Sequence, residues 1–104
     1  MNAKEIIAQR ESTHGDFTDN SAVAQSIKTT IRHHSSHLSD VQAEALDIIA
    51  TKIGRICSGN ANERDHWLDI AGYATLAADR IQIAHPELPL TTPHTTYIDP
   101  YDAP

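Results

Sequence analysis

All five prolines of this 104-residue chain stand at or beyond position 86. An α-helix interior rejects proline, because the residue lacks an amide hydrogen and its ring strikes the preceding turn. Everything before Pro86 is therefore free to be helical, and the apolar residues there recur at helical spacing. Everything after it is not. The expected architecture is all-α, a small domain of about four helices over residues 1–85 followed by an extended, Pro-rich C-terminal arm over residues 86–104.

The first helix is expected from Met1 to about Ser12, with Ile6 and Ile7 as its apolar residues and His14-Gly15-Asp16 as its stop. The second runs from Thr18 to about Ser35, where Val23, Ile27 and Ile31 recur every four residues and Thr18, Asp19 or Asn20 can cap the start. Ser39 followed three places later by Gln42 is a capping box, so a third helix starts there. Its apolar face is Val41, Ala45, Ile48, Ile49, Ile53 and Ile56, and Ser58-Gly59-Asn60-Ala61-Asn62 ends it near Cys57. A fourth helix is expected from Arg64 to about Ala84, with Trp67, Ile70, Ala71, Ala74, Ala77, Ala78 and Ile81 on one face. A second apolar line, Leu68, Gly72 and Leu76, lies beside the first. A helix apolar on more than one side has neighbours on more than one side, and one of them can be another subunit.

A chain of this length makes one domain. Such a domain buries only about two-thirds of the surface its unfolded chain exposes, so self-association is an expectation from the outset. In the C-terminal arm, Tyr97, Ile98 and Tyr101 could anchor on a neighbouring subunit or belong to a disordered tail.

Eight Lys and Arg stand against 14 Asp and Glu, a formal net charge of −6. Nucleic acid and anionic membranes attract basic proteins, so neither is an expected partner. The acids are interleaved with bases, which reads as a solvated surface rather than a DNA mimic. No segment has the length of a membrane span or the pattern of a signal peptide, and a cytoplasmic location is expected. The single cysteine, Cys57, is expected as a buried or half-buried structural thiol.

Chemistry concentrates on helices three and four. At 100° per residue Lys52 falls inside the apolar arc of helix three, and an unpartnered ammonium there would cost several kcal/mol. If the two helices form an antiparallel hairpin, residues whose numbers sum to roughly 121 face one another. Lys52 then meets Asp69, Arg55 meets His66 beside Asp65, and Asp47 or Ile48 meets Tyr73. The cluster Asp47, Lys52, Arg55, Asp65, Asp69 and Tyr73 reads either as ion pairs that fix hairpin register or as a ligand pocket. In the second case Lys52 and Arg55 meet the phosphate of a phosphorylated nucleotide and Tyr73 lies near its sugar or base. His33 and His37 have the spacing of a zinc pair, but no acid or cysteine is near enough to complete a site, and they read as solvated residues at a helix C-terminus. His14-Gly15-Asp16-Phe17 reads as a helix stop with Phe17 buried, or alternatively as part of the pocket lining.

The segments Asp47-Ile48-Ile49-Ala50-Thr51-Lys52-Ile53-Gly54-Arg55-Ile56 and Asp65-His66-Trp67-Leu68-Asp69-Ile70-Ala71-Gly72-Tyr73-Ala74 resemble a small phage and prophage family of unknown function, over a stretch from His14 to Arg80. The pattern K-x-x-R followed by D-x-x-x-D-x-x-x-Y is also distantly similar to nucleotide-modification-associated phage proteins and to MazG-like all-α nucleoside triphosphate pyrophosphohydrolases. The second likeness implies magnesium held by paired acids, here Glu44, Asp47, Asp65 and Asp69. The spacing departs from that pattern, because Asp65 and Asp69 lie well over a turn from Glu44 in the hairpin register, and magnesium ligands must converge within about 2.1 Å of one ion. The leading expectation is an oligomeric nucleotide-binding protein without a cofactor, of the kind that sequesters a nucleotide signal of host immunity. The alternatives are a magnesium-dependent pyrophosphohydrolase and a small interaction protein that binds a host factor.

Overall fold

A computed structural model describes residues 1–81. The expectations for the C-terminal arm, including Tyr97, Ile98 and Tyr101, lie outside the described residues. Four helices make up the rest, in the order α1 (Ala3–His14), α2 (Phe17–His33), α3 (Asp40–Ser58) and α4 (Arg64–Ala78), with no strand among the described residues. The fold is all-α.

The first three helices each start where a short polar side chain takes over an orphaned amide, whereas Glu63 before α4 makes no such bond. Ser39 Oγ accepts from the Gln42 amide at 3.1 Å while Gln42 Oε1 accepts from the Ser39 amide at 3.0 Å, the expected capping box. Asn2 and Glu5 form a second box at the start of α1. The cap of α2 is Asp16, whose carboxylate accepts from the Asp19 amide, rather than Thr18, Asp19 or Asn20. Gly15 makes this possible: at φ 77° it turns the chain at once, so α2 begins earlier than its apolar pattern. At its other end α4 stops at Ala78, short of the expected Ala84, as Arg80 and Ile81 bond to carbonyls three residues back and tighten the last turn.

The helices gather around α3, the one element that packs on each of the others. Backbone packing joins α2 to α3, α3 to α4, and α1 to both α2 and α3, whereas among the described residues the α4 backbone lies against α3 alone and reaches α1 through the His66 side chain. Small residues set the closest approaches: Ala24, Ala45, Ala50 and Gly54 are buried. A Cβ on Gly54 would stand 2.5 Å from the Asn20 carbonyl oxygen and 3.3 Å from Ala24 Cβ, so α2 and α3 touch nearly backbone to backbone there. Val23, Ile27 and Ile31 are half-buried between these two helices, as their spacing predicts.

Several expected burials are corrected. Phe17 is 77% exposed, because the early start of α2 leaves it in the first turn, away from α3. Cys57 is exposed rather than buried, as is Val41 at the start of the same helix. On α4 the side facing α3 is His66, Ile70, Tyr73 and Ala77, while Trp67, Ala71, Ala74 and Ala78 are exposed. Trp67 instead donates its indole N–H to the Ala61 carbonyl at 2.8 Å. No large side chain among the described residues is fully buried.

Candidate functional site

The turn joining α1 to α2 is locked against the turn joining α3 to α4. A Cβ on Gly15 would overlap the Ser58 carbonyl and lie 2.8 Å from the Gly59 nitrogen; a Cβ on Gly59 would overlap the Thr13 and His14 backbone. Two glycines are needed because two main chains share the space that side chains would fill. The Thr13 carbonyl, left over at the end of α1, accepts from the Asn60 amide at 2.9 Å and bonds the His66 ring at 3.2 Å. The His14 carbonyl accepts from Asn20 Nδ2 at 3.1 Å. Four elements thus meet at one point, and the C-terminal carbonyls of α1 are satisfied by groups from α2, α4 and the α3–α4 turn.

Beside this junction lies a polar cleft of about 330 Å³, lined by Thr13, His14, Lys52, Arg55, Glu63, Asp65, His66 and Asp69. The hairpin register is as expected: Lys52 Nζ is 2.9 Å from Asp69 Oδ2. Lys52 is mostly covered and Asp69 about half-exposed, so the pair spans the wall of the cleft from inside to solvent. The hydrogen bond from Lys52, together with its charge, holds the Asp69 carboxyl below its ordinary range. Arg55 shares the cleft with His66 and Asp65, again as the register predicts, and has no carboxylate within ion-pair distance among the described residues.

His66 is 3% exposed. Because a carbonyl can only accept, its Nε2 carries the hydrogen and donates to Thr13, which fixes the ring. His14 stands beside it, ring centroids 5.1 Å apart and tilted by 52°. Burial pushes the His14 imidazole below its ordinary value, and Arg55, His66, Lys52 and Arg10 push in the same direction. The cleft is therefore one in which a proton on His14 is unwelcome until a negative charge enters.

Of the residues singled out from sequence, Lys52, Arg55, Asp65 and Asp69 are brought together here. Asp47 is not: its carbonyl takes the Thr51 hydroxyl at 3.3 Å, and its side chain lies outside the cleft. Tyr73 lines two apolar grooves instead, one with Leu68, Gly72 and Leu76, the other with Val41, Ile48 and Ala77. Glu44 borders that second groove beside Asp40 and Arg80, away from Asp65 and Asp69. The four acids of the magnesium alternative are thus not brought together, with Asp65 and Asp69 in the cleft, Glu44 on the second groove and Asp47 on neither, and no group of three His, Cys, Asp or Glu among the described residues is arranged to hold a metal ion. Thr13, Glu63 and His66 join the cleft without having been singled out as ligands. His66 could have been found from the register that sets it opposite Arg55, but Thr13 contributes backbone, which no side-chain pattern reports.

No helix among the described residues is long and apolar enough to cross a membrane. No curated protein and no solved structure matches the chain. A family model, described as a domain of unknown function (DUF6378), matches residues 1–81. With its helical domain covered from end to end, this chain belongs to the DUF6378 family.

Proposed function

We propose that this protein binds a phosphorylated nucleotide in the polar cleft, with the phosphate against Arg55 and Lys52. The observation that supports the reading is Arg55, a guanidinium lining a cleft with no carboxylate partner among the described residues. Its flat fork of donors suits two phosphate oxygens at once. Asp69 orients Lys52, and Glu63 and Asp65 offer acceptors to ribose hydroxyls or to an amino group of the base. The junction of backbone turns makes the site rigid, so little ordering is lost when a ligand enters.

Formal charge narrows the ligand. Two cations, Lys52 and Arg55, face three carboxylates, Glu63, Asp65 and Asp69. A triphosphate would meet net repulsion, whereas a single phosphate can sit between the cations, so a nucleoside monophosphate or a cyclic nucleotide is the preferred class. Binding without turnover, in the cytoplasm of a host cell, is the role a phage-type protein would have in sequestering such a nucleotide.

A thermal-shift screen against nucleoside mono-, di- and triphosphates and cyclic nucleotides, with and without magnesium, tests the proposal. A ligand at a hundred times its dissociation constant adds about 2.7 kcal/mol of stability. The expected result is a magnesium-independent shift with the ligand recovered intact, and its loss in Arg55→Ala, which retains the helical circular dichroism of the parent. A shift that requires magnesium and consumes the ligand would replace binding with hydrolysis. No shift with any nucleotide would leave Lys52 and Asp69 as a register-fixing ion pair.

A further inference from the structure

The first helix reaches the candidate site through its last turn. Residues 1–12 are exposed and α1 buries no side chain, whereas Thr13 and His14 at its end line the cleft. Arg10 stands one turn before His14. Residues four apart lie on the same face of a helix, with Cβ atoms about 5–6 Å from one another, so Arg10 leaves α1 on the side that carries His14.

The Arg10 guanidinium is without a counter-charge there. Its backbone carbonyl accepts from the Thr13 hydroxyl at 3.1 Å, but its side chain has no carboxylate within ion-pair distance among the described residues. The neighbouring acid, Glu11, lies about 100° further round the helix. The charge of Arg10 nonetheless acts in the cleft. Burial is the main cause that lowers the His14 imidazole, and Arg55, His66, Lys52 and Arg10 add to it. The cations of α1 and α3 thus act together on one imidazole, while the carboxylates of the cleft, Glu63, Asp65 and Asp69, belong to α4 and the residue that precedes it.

We infer that Arg10 is a further phosphate-binding residue, closing on the outer side of a phosphate held by Arg55, with His14 between the two. The inference rests on the phosphate reading of Arg55 and extends it to the orientation of the ligand. The phosphate lies towards α1, and the sugar and base lie towards the carboxylates of α4. Because the residues around Arg10 are exposed, its side chain can move to the ligand without disturbing a packed core. With Arg10 included, three cations balance three carboxylates, and a proton taken up by His14 meets part of the charge that a phosphate adds.

Proton NMR of the histidine rings, with His14 assigned from His14→Gln, tests this in two steps. Without ligand, Arg10→Ala should raise the His14 pKa, since one of the charges that lower it is gone while Lys52, Arg55, His66 and the three carboxylates stay. Inorganic phosphate and the four nucleoside 5′-monophosphates are then titrated. Arg10→Ala should weaken their binding about tenfold, the size of one charge-assisted hydrogen bond. Arg10→Lys should weaken it by less, because a lysine keeps the charge but loses the fork of donors. Gln9→Arg together with Arg10→Gln turns the guanidinium about 100° round the helix and should not restore affinity. All these variants should keep the helical circular dichroism of the parent, since both positions are exposed. A His14 titration identical in Arg10→Ala and the parent would overturn the inference, whatever the cleft binds. Equal phosphate affinity in the two would also overturn it, leaving Arg55 as the phosphate residue where Arg55→Ala alone loses binding. If the parent binds neither phosphate nor any of the nucleotides, the inference falls together with the reading on which it rests.

Discussion

Replacing Gly15 by alanine should dislodge the candidate site and destabilise the fold together. Gly15 has φ 77° and ψ −177°, a region essentially closed to residues with a Cβ, and forcing alanine into it costs about 1–3 kcal/mol. The new methyl group also overlaps the Ser58 carbonyl and approaches the Gly59 nitrogen to 2.8 Å, so the two turns must separate. Overpacking of this kind costs about 1–3 kcal/mol more. The sum, about 2–6 kcal/mol, is a large part of the 5–15 kcal/mol by which such domains are stable. Urea unfolding followed by circular dichroism at 222 nm, at one protein concentration throughout, should show the loss. The thermal midpoint should fall on the order of 10 °C or more, at several degrees per kcal/mol for a domain of this size. In whatever fraction stays folded, His14 and Thr13 should leave the cleft, and nucleotide-induced stabilisation should vanish with them. A Gly15→Ala protein within about 0.5 kcal/mol of the parent would show that the turns are not interlocked, since surface substitutions stay in that range.

Three further outcomes follow from other parts of the molecule. Ser39→Ala removes half of the capping box of α3 and should cost about 0.5–2 kcal/mol in urea unfolding, with Ser39→Gly costing less. Gly54→Val places a branched side chain where the Asn20 carbonyl already stands and should destabilise by about 1–3 kcal/mol, read in the same assay. His14 gives a pH dependence: its folded value lies below the 6.5 of the free group, so the unfolded chain binds more protons. Its contribution to stability is then complete above pH 6.5 and is lost as the pH falls from there through the folded value. A phosphate in the cleft reverses the effect on His14, so titration calorimetry below neutral pH should record proton uptake on binding, and His14→Gln should abolish it.

Much of the molecule is legible in its residues alone. The clustering of proline beyond position 86 makes the first part helical, the Ser39–Gln42 pair starts α3, and the short turn between α3 and α4 sets the register that joins Lys52 to Asp69. These are local matters, decided within one or two helical turns, where spacing and capping act directly. What the tertiary structure decides is which face of each helix meets which neighbour. α4 is apolar around most of its circumference, so its period alone cannot choose, and packing on α3 selects His66, Ile70, Tyr73 and Ala77 over the Trp67 side. The same assembly carries Tyr73 and Asp47 out of the cleft and brings in His14 and the Thr13 carbonyl from the far end of α1. Residues 13 and 66 are distant in the chain and meet only because Gly15 and Gly59 let two turns of main chain touch, a contact made by the absence of side chains and therefore silent in any pattern of them.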